Sequence, residues 1–521
     1  MHAAAGERKG GGNDVSTEPA REGGGAAGPR AAASAPAVPL PGTGAVLEAR
    51  PARLRVRYVR LFGGHVSLIT VLLFAAELAV FAGAVYLAAW LRFRGDMAAA
   101  EAWAGPLGAR SAVIALALAA GVAAMGLYQR NFREGWLGAA TRAALGLGLG
   151  ALGLGLVYYA VPALEIGRGI LAIALGLSLP ATLALRAVYF GLLDERALSR
   201  RVLVLGAGER AATLGRLRRR ADRRGFEIVA YVSVAGENRI GTDAPVLPHD
   251  RPLARIVRRY GIDEVVVAVD ERRGGGLPIH ELLDCRLGGV QVLDLATFFE
   301  RETGRIKLET LSPSWLVFED GFRQGWLRAR AKRAFDVAVS LALLVLASPL
   351  MLLAALAIRL DSPGPVLFRQ VRVGQHGRPF ELLKFRSMRV DAEADGRPRW
   401  ASRDDPRITR VGRLLRKARI DELPQLVNVL RGEMSFVGPR PERPEFVREL
   451  AARIPYYNER HRVKPGITGW AQICYGYTDS ERDAREKLEY DLYYVKNYSL
   501  LFDLYVILRT VEVVLWGRGA H

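Results

Sequence analysis

The sequence predicts an integral membrane α-helical bundle, followed by an α/β Rossmann-like domain and a mainly α, mixed α/β domain with a re-entrant membrane helix. Three observations lead to this fold class. Apolar stretches of membrane-spanning length crowd the first part of the chain. A strand, glycine turn, helix, strand pattern follows them, and a later apolar segment with basic ends contains a proline. The chain has 521 residues, enough for about three domains.

The N-terminal third divides into a tail and a membrane region. Residues 1–45 are rich in glycine, alanine, proline and serine without an apolar period, so we expect a disordered tail. Residues 46–195 are predicted to form four transmembrane helices, because each apolar stretch has the length of about 18–25 residues that crosses about 30 Å of hydrocarbon. Buried helices of a large soluble protein are the alternative. The four stretches are 67–91, 111–128, 139–161 and 169–190.

Basic residues around these stretches set the expected orientation, since loops rich in lysine and arginine stay in the cytoplasm. They precede the first stretch, flank the loop between the second and third, and follow the fourth, so both ends of the region should be cytoplasmic. Arg92, Arg94 and Arg110 fall in a loop expected outside and weaken this asymmetry. The basic flanks are Arg50, Arg53, Arg55, Arg57, Arg60, Arg130, Arg133, Arg142, Arg196, Arg200 and Arg201.

Charge and cysteine content narrow the class of function. The formal net charge is +20, which suits an anionic membrane surface, phosphorylated substrates or nucleic acid. The two cysteines, Cys285 and Cys474, are far apart and form no CxxC motif. This spacing argues against a disulfide framework and against a cysteine-based zinc site.

Residues 196–310 are predicted to form the Rossmann-like domain. The sequence Gly206-Ala-Gly-Glu-Arg-Ala matches the GxGxxA turn between the first strand and helix of a βαβ unit. Ser233 and Val234 stand where the second strand should end in a ribose-binding acid. Nucleotide binding therefore stays open beside a regulatory, spacer or dimerising role. The predicted strands are Val202–Leu205, 229–234 and 265–269.

A fifth apolar segment, 337–358, has basic residues at both ends and Ser348-Pro349 in its middle. Proline removes a helical hydrogen bond and clashes with the preceding turn, and serine can satisfy a freed carbonyl. We therefore predict a bent, re-entrant helix over about 334–358, which enters and leaves the membrane on one face. An ordinary span with a proline kink is the alternative.

Charged residues with unusual neighbours concentrate after this segment. Lys384 and Arg386 alternate along an extended stretch, so both cations should lie on one face and suit a diphosphate. The basic stretch 407–419 is amphipathic and suits either lipid headgroups or packing on a core. Asp421-Glu422 follows it. Such a pair can supply a nucleophile and a metal ligand or proton carrier, although acids also favour a helix N-terminus.

Arg440 lies between two prolines that should hold its backbone rigidly. Together with four other blocks, this segment resembles the bacterial sugar transferase family, the monotopic polyprenyl-phosphate phosphoglycosyl transferases. The resemblance covers 328–521, and the preceding regions resemble the long members with four transmembrane helices and a Rossmann-like domain. Glu433 and Phe436 depart mildly from the family's Asp and Leu. The matching blocks are 362–370, 384–388, 421–426, 438–441 and 464–472.

The resemblance implies an enzyme that transfers a sugar-1-phosphate from a nucleotide sugar, usually a UDP-sugar, to polyprenyl (undecaprenyl) phosphate. This reaction starts the repeat unit of an exopolysaccharide, capsule or O-antigen. Asp421 would be the catalytic nucleophile and form an aspartyl-phosphosugar intermediate. Glu422 would support catalysis as a ligand of Mg²⁺. Lys384, Arg386 and Arg440 would contact the substrate.

The resemblance also implies where the protein works and what it meets. Ser348 and Pro349 match the break in the family's re-entrant helix. The catalytic domain, 328–521, would face the cytoplasm from a multi-pass protein of the bacterial inner membrane. Its partners would be the nucleotide-sugar donor, the polyprenyl phosphate acceptor and the lipid bilayer, with no nucleic acid. A homodimer and the identity of the sugar are left open.

Two other classes of function compete with this interpretation. A membrane-bound Rossmann enzyme that modifies nucleotide sugars would need a Tyr-x-x-x-Lys pair near its cofactor, and 200–300 contains none. A polysaccharide-assembly scaffold would not account for Asp421-Glu422 and Arg440.

Overall fold

The computed structural model describes most of the chain after residue 63. The described residues are 39–40, 43–46, 58–61, 64–128, 136–192, 199–215, 225–234, 244–270, 277–311, 325–390, 392, 405–476 and 480–516. The unit Met1–Ala49 contains two short antiparallel strands, β1 (Pro39–Leu40) and β2 (Thr43–Val46). The rest of the predicted tail lies outside the described residues. So do most of the basic flanks used for orientation, including Arg130 and Arg133.

The predicted membrane region forms a helical bundle after an antiparallel hairpin of β3 (Tyr58–Leu61) and β4 (Gly64–Ser67). Glycines let α3 and α4 approach closely, since a Cβ on Gly121 would lie 2.1 Å from the Gly146 carbonyl oxygen. Across 68–516, within the described segments, five helices are long and apolar enough to cross a membrane, and four belong to this bundle. Its helices are α1 (Leu68–Arg92), α2 (Met97–Ala104), α3 (Leu107–Ala124), α4 (Trp136–Ala160) and α5 (Arg168–Leu192).

The α/β domain contains a five-stranded, wholly parallel sheet with strand order β7-β6-β5-β8-β9. The residues of 202–205 are fully buried, as expected when helices cover both faces of a parallel sheet. The strands are β5 (Arg200–Leu205), β6 (Phe226–Ser233), β7 (Val246–Pro248), β8 (Glu264–Val267) and β9 (Gln291–Asp294). The helices are α6 (Glu209–Gly215), α7 (Leu253–Tyr260), α8 (Ile279–Leu287) and α9 (Leu295–Thr303).

The glycine turn of this domain is closed by a carboxylate of the protein. Asp270 accepts hydrogen bonds from the backbone N–H groups of Glu209 at 2.9 Å and Arg210 at 2.8 Å. A Cβ on Gly208 would lie 1.8 Å from Asp270 Oδ2. The glycine therefore makes room for this aspartate, and the N-terminal amides of α6 bind it.

The fifth apolar segment forms one helix, α10 (Trp326–Asp361), which begins earlier than the sequence predicted. At about 1.5 Å per residue it is about 54 Å long, well beyond a hydrocarbon core of about 30 Å. The helix continues through Pro349, and Ser348 Oγ donates to the Val345 carbonyl oxygen at 2.8 Å. Its apolar side chains around the proline are largely exposed, including Leu346 and Leu352. The re-entrant path itself stays a prediction.

The remaining elements of the third domain surround α10. The core includes Val437, Leu488 and Tyr494. The strands are β10 (Leu367–Val373) antiparallel to β11 (Pro379–Phe385), and β12 (Ser435–Val437) parallel to β13 (Gly466–Thr468). The helices are α11 (Arg410–Lys417), α12 (Gln425–Arg431), α13 (Pro444–Arg453), α14 (Trp470–Cys474), α15 (Glu481–Asn497) and α16 (Leu500–Trp516).

Helix α16 contacts both the third domain and the membrane bundle. Asp503 accepts from Lys332 of α10 at 2.6 Å, and Thr510 Oγ1 lies 2.8 Å from Thr468 Oγ1 of β13. Further along, the Glu512 carboxylate pairs with Arg142 of α4 at 2.6 Å, and both side chains are buried. The third domain is thus bound directly to the membrane bundle.

Candidate functional site

Two cations that the sequence singled out converge on one carboxylate oxygen of Glu422. Glu422 Oε1 lies 3.1 Å from Arg440 Nη2 and 3.5 Å from Lys384 Nζ. Arg419 Nη1, which the sequence analysis missed, lies 3.6 Å from the same oxygen. Burial raises the pKa of Glu422, but attraction to Arg440, Lys384 and Arg419 outweighs it and lowers the pKa overall. Glu422 is therefore a fixed anion among cations.

Asp421 has a different environment although it is the neighbouring residue. Its side chain is buried, at 8% exposure. Within the part of the chain that the structure describes, its carboxylate forms no hydrogen bond or ion pair. Burial and the adjacent Glu422 charge raise the pKa of Asp421, while Lys384, Arg416 and Arg440 oppose that rise. Two adjacent carboxylates thus differ in basicity, which is how acid pairs divide chemical roles.

A residue with left-handed backbone angles turns the chain just before the carboxylate pair. Helix α11 ends at Lys417, and Arg419 adopts φ 59° and ψ 17° before the 3₁₀ turn Ile420–Glu422. A residue other than glycine in this region is strained and persists only where its surroundings hold it. The ion pair between Arg419 and Glu422 supplies such a restraint.

Asn428 fixes the strand that carries Lys384. Its Oδ1 accepts from the Leu383 N–H at 3.0 Å, and its Nδ2 donates to the Glu381 carbonyl oxygen at 2.7 Å. The fully buried amide thus pairs with β11 as a neighbouring strand would. Lys384 follows directly, so its position relative to Glu422 depends on this contact. No local pattern in the sequence indicated this role.

The backbone around Arg440 is held from several sides. Gly438 N donates to the Thr468 carbonyl oxygen and Gly466 N donates to that of Pro439, each at 2.9 Å. Arg460 Nη2 donates to the carbonyl oxygen of Arg440 itself at 3.0 Å. Arg460 is buried and paired with Asp491 at 2.7 Å. Arg460 and Asp491 were not predicted, because they come from distant, unremarkable segments.

Arg386, predicted as a substrate contact, has a different set of neighbours. Its guanidinium donates to the carbonyl oxygens of Pro363 and Ser362, each at 2.7 Å. The side chain is buried, at 5% exposure. These bonds give Arg386 the role of holding the chain after α10, and its contact with a substrate stays a prediction.

The basic helix α11 packs on a core, which is one of the two alternatives, and its contact with lipid headgroups stays a prediction. Leu415 is buried in a cluster with Ala354 and Ile358 of α10, and Gly412 lies so close to Ser387 that a Cβ would meet its carbonyl oxygen at 2.0 Å. Leu414, by contrast, is 66% exposed. One face packs on the membrane helix and another presents leucine and arginine outward.

The carboxylate pair is suited to magnesium only together with a substrate. Among the residues described, no group of three or more His, Cys, Asp or Glu side chains could hold a metal ion. Magnesium is commonly held by one or two carboxylates plus substrate phosphates and water. Glu422 supplies such a carboxylate, so the residues fit the ion. A carboxylate pair beside three cations, near a long apolar helix, is the set of charges expected in a membrane protein that acts on phosphorylated ligands.

Comparison with known proteins agrees with this class. The family model described as Bacterial sugar transferase matches residues 327–517. A relative from Caulobacter vibrioides, the "UDP-glucose:undecaprenyl-phosphate glucose-1-phosphate transferase", is 48% identical over 192 residues, covering 36% of this chain and 72% of that protein. The chain belongs to the bacterial sugar transferase family, as its motifs predicted.

Two other relatives differ in how much of their length is matched. The Aeromonas hydrophila "UDP-N-acetylgalactosamine-undecaprenyl-phosphate N-acetylgalactosaminephosphotransferase" is 44% identical over 240 residues, covering 46% of this chain and 56% of that protein. The Rhizobium leguminosarum "Exopolysaccharide production protein PSS" is 45% identical over 197 residues, covering 36% of this chain and 97% of that protein. The chain thus spans just over half of the first relative and nearly all of the second.

Proposed function

We propose that this protein transfers a sugar-1-phosphate from a UDP-sugar to undecaprenyl phosphate and so starts the assembly of a polysaccharide repeat unit. The observation that carries the proposal is the buried Asp421 carboxylate, which has no ion pair among the described residues, beside Glu422, which three cations hold. The names of the relatives from Caulobacter and Aeromonas describe this reaction for those proteins. The Rhizobium relative's name connects that protein to exopolysaccharide production.

In this proposal the reaction proceeds in two displacements at one phosphorus. Asp421 attacks the phosphorus that bears the sugar and forms a new P–O bond. The phosphoanhydride bond breaks, and its electron pair leaves with the nucleoside monophosphate. An oxygen of undecaprenyl phosphate then attacks the same phosphorus and releases the Asp421 carboxylate. Covalent catalysis divides the transfer, so that the donor diphosphate and the acceptor phosphate never meet.

The surrounding residues would stabilise the charge that develops in each displacement. Lys384 and Arg440 flank Glu422, so they would be near a diphosphate bound beside the carboxylate pair. Fixed cations in a partly dry site stabilise a transferring phosphoryl group more than solvent does. Mg²⁺, when bound by Glu422 and the phosphates, would neutralise further phosphate charge. Glu422, already ionised, is better suited to hold cations than to carry a proton.

The membrane architecture supports the same proposal. Helix α10 has basic residues near both ends and Ser348-Pro349 in the middle of its apolar part, so we propose that it bends at Ser348-Pro349 and returns to the cytoplasmic face of the bacterial inner membrane. The site would then lie at headgroup depth, where the acceptor phosphate is. The parallel sheet would belong to the Rossmann-like class, with β5 as the strand that carries the glycine turn.

An assay with a panel of UDP-sugars tests the function. Membranes containing the protein should convert one radiolabelled donor and undecaprenyl phosphate into a lipid-linked product. Membranes with the Asp421→Asn variant at equal abundance are the control and should form none. If no donor in the panel gives lipid-linked label above this control, the proposed function is wrong.

A further inference from the structure

The α/β domain and the third domain are joined by specific buried contacts. Trp470 Nε1 donates to the Gly304 carbonyl oxygen at 2.8 Å. Lys496 Nζ pairs with Glu300 Oε2 at 2.6 Å, and the two side chains are 1% and 5% exposed. Gly304 adopts φ +64°, and a Cβ there would lie 3.2 Å from the Trp470 ring. The end of α9 is therefore shaped to receive this tryptophan.

A second set of contacts lies immediately along the chain. The N–H of Ile306 donates to the Glu489 carbonyl oxygen at 3.0 Å, and the N–H of Leu308 donates to the Glu489 carboxylate at 3.1 Å. Arg305 and Lys307 lie 3.4 and 3.6 Å from the same carboxylate. Backbone and charge contacts together make this a fixed interface within the chain.

Trp470 connects the interface to the candidate site. It follows Gly469, whose Cβ, if present, would lie 2.2 Å from the Gly438 carbonyl oxygen. The segment 466–468 holds Gly438 and Pro439 by the two 2.9 Å hydrogen bonds described above. Arg440 is the next residue, and its guanidinium lies 3.1 Å from Glu422. A short run of backbone contacts therefore leads from the α/β domain to the carboxylate pair.

At the glycine turn of the α/β domain, Asp270 accepts from the N–H groups of Glu209 and Arg210. These two groups are therefore not free to bind a phosphate. We propose that the domain serves instead as a positioning domain. Its contacts with Trp470 and Lys496 hold Arg440 where its guanidinium can pair with Glu422. Gly304 and Glu300 are the positioning residues on its side. This inference rests on the proposed function for its kinetic consequence, but the docking itself does not.

Three full-length variants in lipid nanodiscs test the proposal. Glu300→Gln removes the charge that Lys496 meets, and Trp470→Phe removes the indole donor while keeping an aromatic ring. Glu281→Gln is the matched control, since Glu281 lies in the same domain and bonds only to His249 and Leu253 in the described contacts. Steady-state kinetics and amide hydrogen exchange of 435–438 and 466–468 are measured for each.

The two interface variants should lower kcat about tenfold with little change in the KM for the donor, because small displacements of a positioned group reduce the rate of the chemical step. Amide exchange at Gly438 and Gly466 should become faster in both. The control should match the wild type. Faster exchange only in 300–308, with unchanged kcat and unchanged exchange at 438 and 466, would overturn the inference. If the wild type transfers no sugar, the exchange data still decide whether the domain positions this backbone.

Discussion

Replacement of Asp421 by Asn separates covalent catalysis from the other roles of the carboxylate pair. The amide has nearly the same volume, so the buried site should keep its shape. Glu422 cannot substitute as the nucleophile, because Arg440, Lys384 and Arg419 surround its Oε1 within 3.6 Å. We therefore expect turnover to fall at least about a thousandfold, which corresponds to about 4 kcal/mol of barrier.

The decisive assay uses the donor without the lipid acceptor. The wild type should release nucleoside monophosphate in a burst equal to the amount of enzyme, and the label of the sugar phosphate should remain on the peptide that contains Asp421. Asp421→Asn should give neither. Release only in the presence of undecaprenyl phosphate, with no labelled peptide, would refute the covalent mechanism in favour of direct transfer.

Asp405→Asn is the matched control for this experiment. Asp405 is also a buried aspartate of the third domain, but its carboxylate binds Arg407 at 2.5 Å. The hydrogen bond with Arg407 is the main reason that the pKa of Asp405 is lowered to about 2. Its replacement should reduce stability and leave the burst per folded enzyme intact. A lost burst in folded Asp405→Asn would mean that the assay reports general damage to the site.

Three further predictions concern pH, topology and packing. The burst should fail as pH decreases through a value above the ordinary range of aspartate, because burial raises the pKa of Asp421. In Lys384→Met the burst should fail at a still higher pH, since a cation that favours the ionised Asp421 carboxylate is gone. A pH–rate profile with the same midpoint as the wild type would contradict this direction. A cysteine at Ala163 should react with an impermeant reagent from outside, and one at Arg378 should not. Labelling at 378 from outside would show that α10 crosses the membrane. Asn428→Asp should lower the melting temperature, since a carboxylate cannot donate to the Glu381 carbonyl oxygen and an unsatisfied buried group costs about 1–3 kcal/mol. An unchanged melting temperature would show that the hydrogen bonds of Asn428 to β11 do not contribute to stability.

Local patterns predicted the elements of this protein better than their contacts. Apolar length located α1 and α5 within a few residues, and the glycine turn located β5 and α6. Helix α10 begins at Trp326 rather than near 334, because the basic residues ahead of the apolar segment continue the helix, and Lys332 and Arg333 bond to Asp503 and Val429 of the third domain. β7 was missed because it has only three residues. Periodicity carries little information about elements of that length.

The candidate site was predictable to the extent that its residues fall in dense motifs. Lys384, Glu422 and Arg440 converge in the structure, although 56 positions separate the first from the last. Arg386 does not join them, because alternation along a strand fixes the face of a side chain but not its partner. Asn428 and Arg460 act through contacts made across the fold. Such contacts leave no periodic or compositional signal in the sequence.

The contacts of α16 impose an order on the biogenesis of the protein. Arg142 pairs with a glutamate 370 positions downstream, and Thr468 meets Thr510 on the same helix. During translation the bundle helix that carries Arg142 enters the membrane long before Glu512 has been made. Contacts so distant along the chain also form slowly. A nascent chain that stalls before this helix is complete would therefore contain Arg142 without its glutamate and Thr468 without its threonine partner. We expect such a chain to be degraded by quality control rather than to become active.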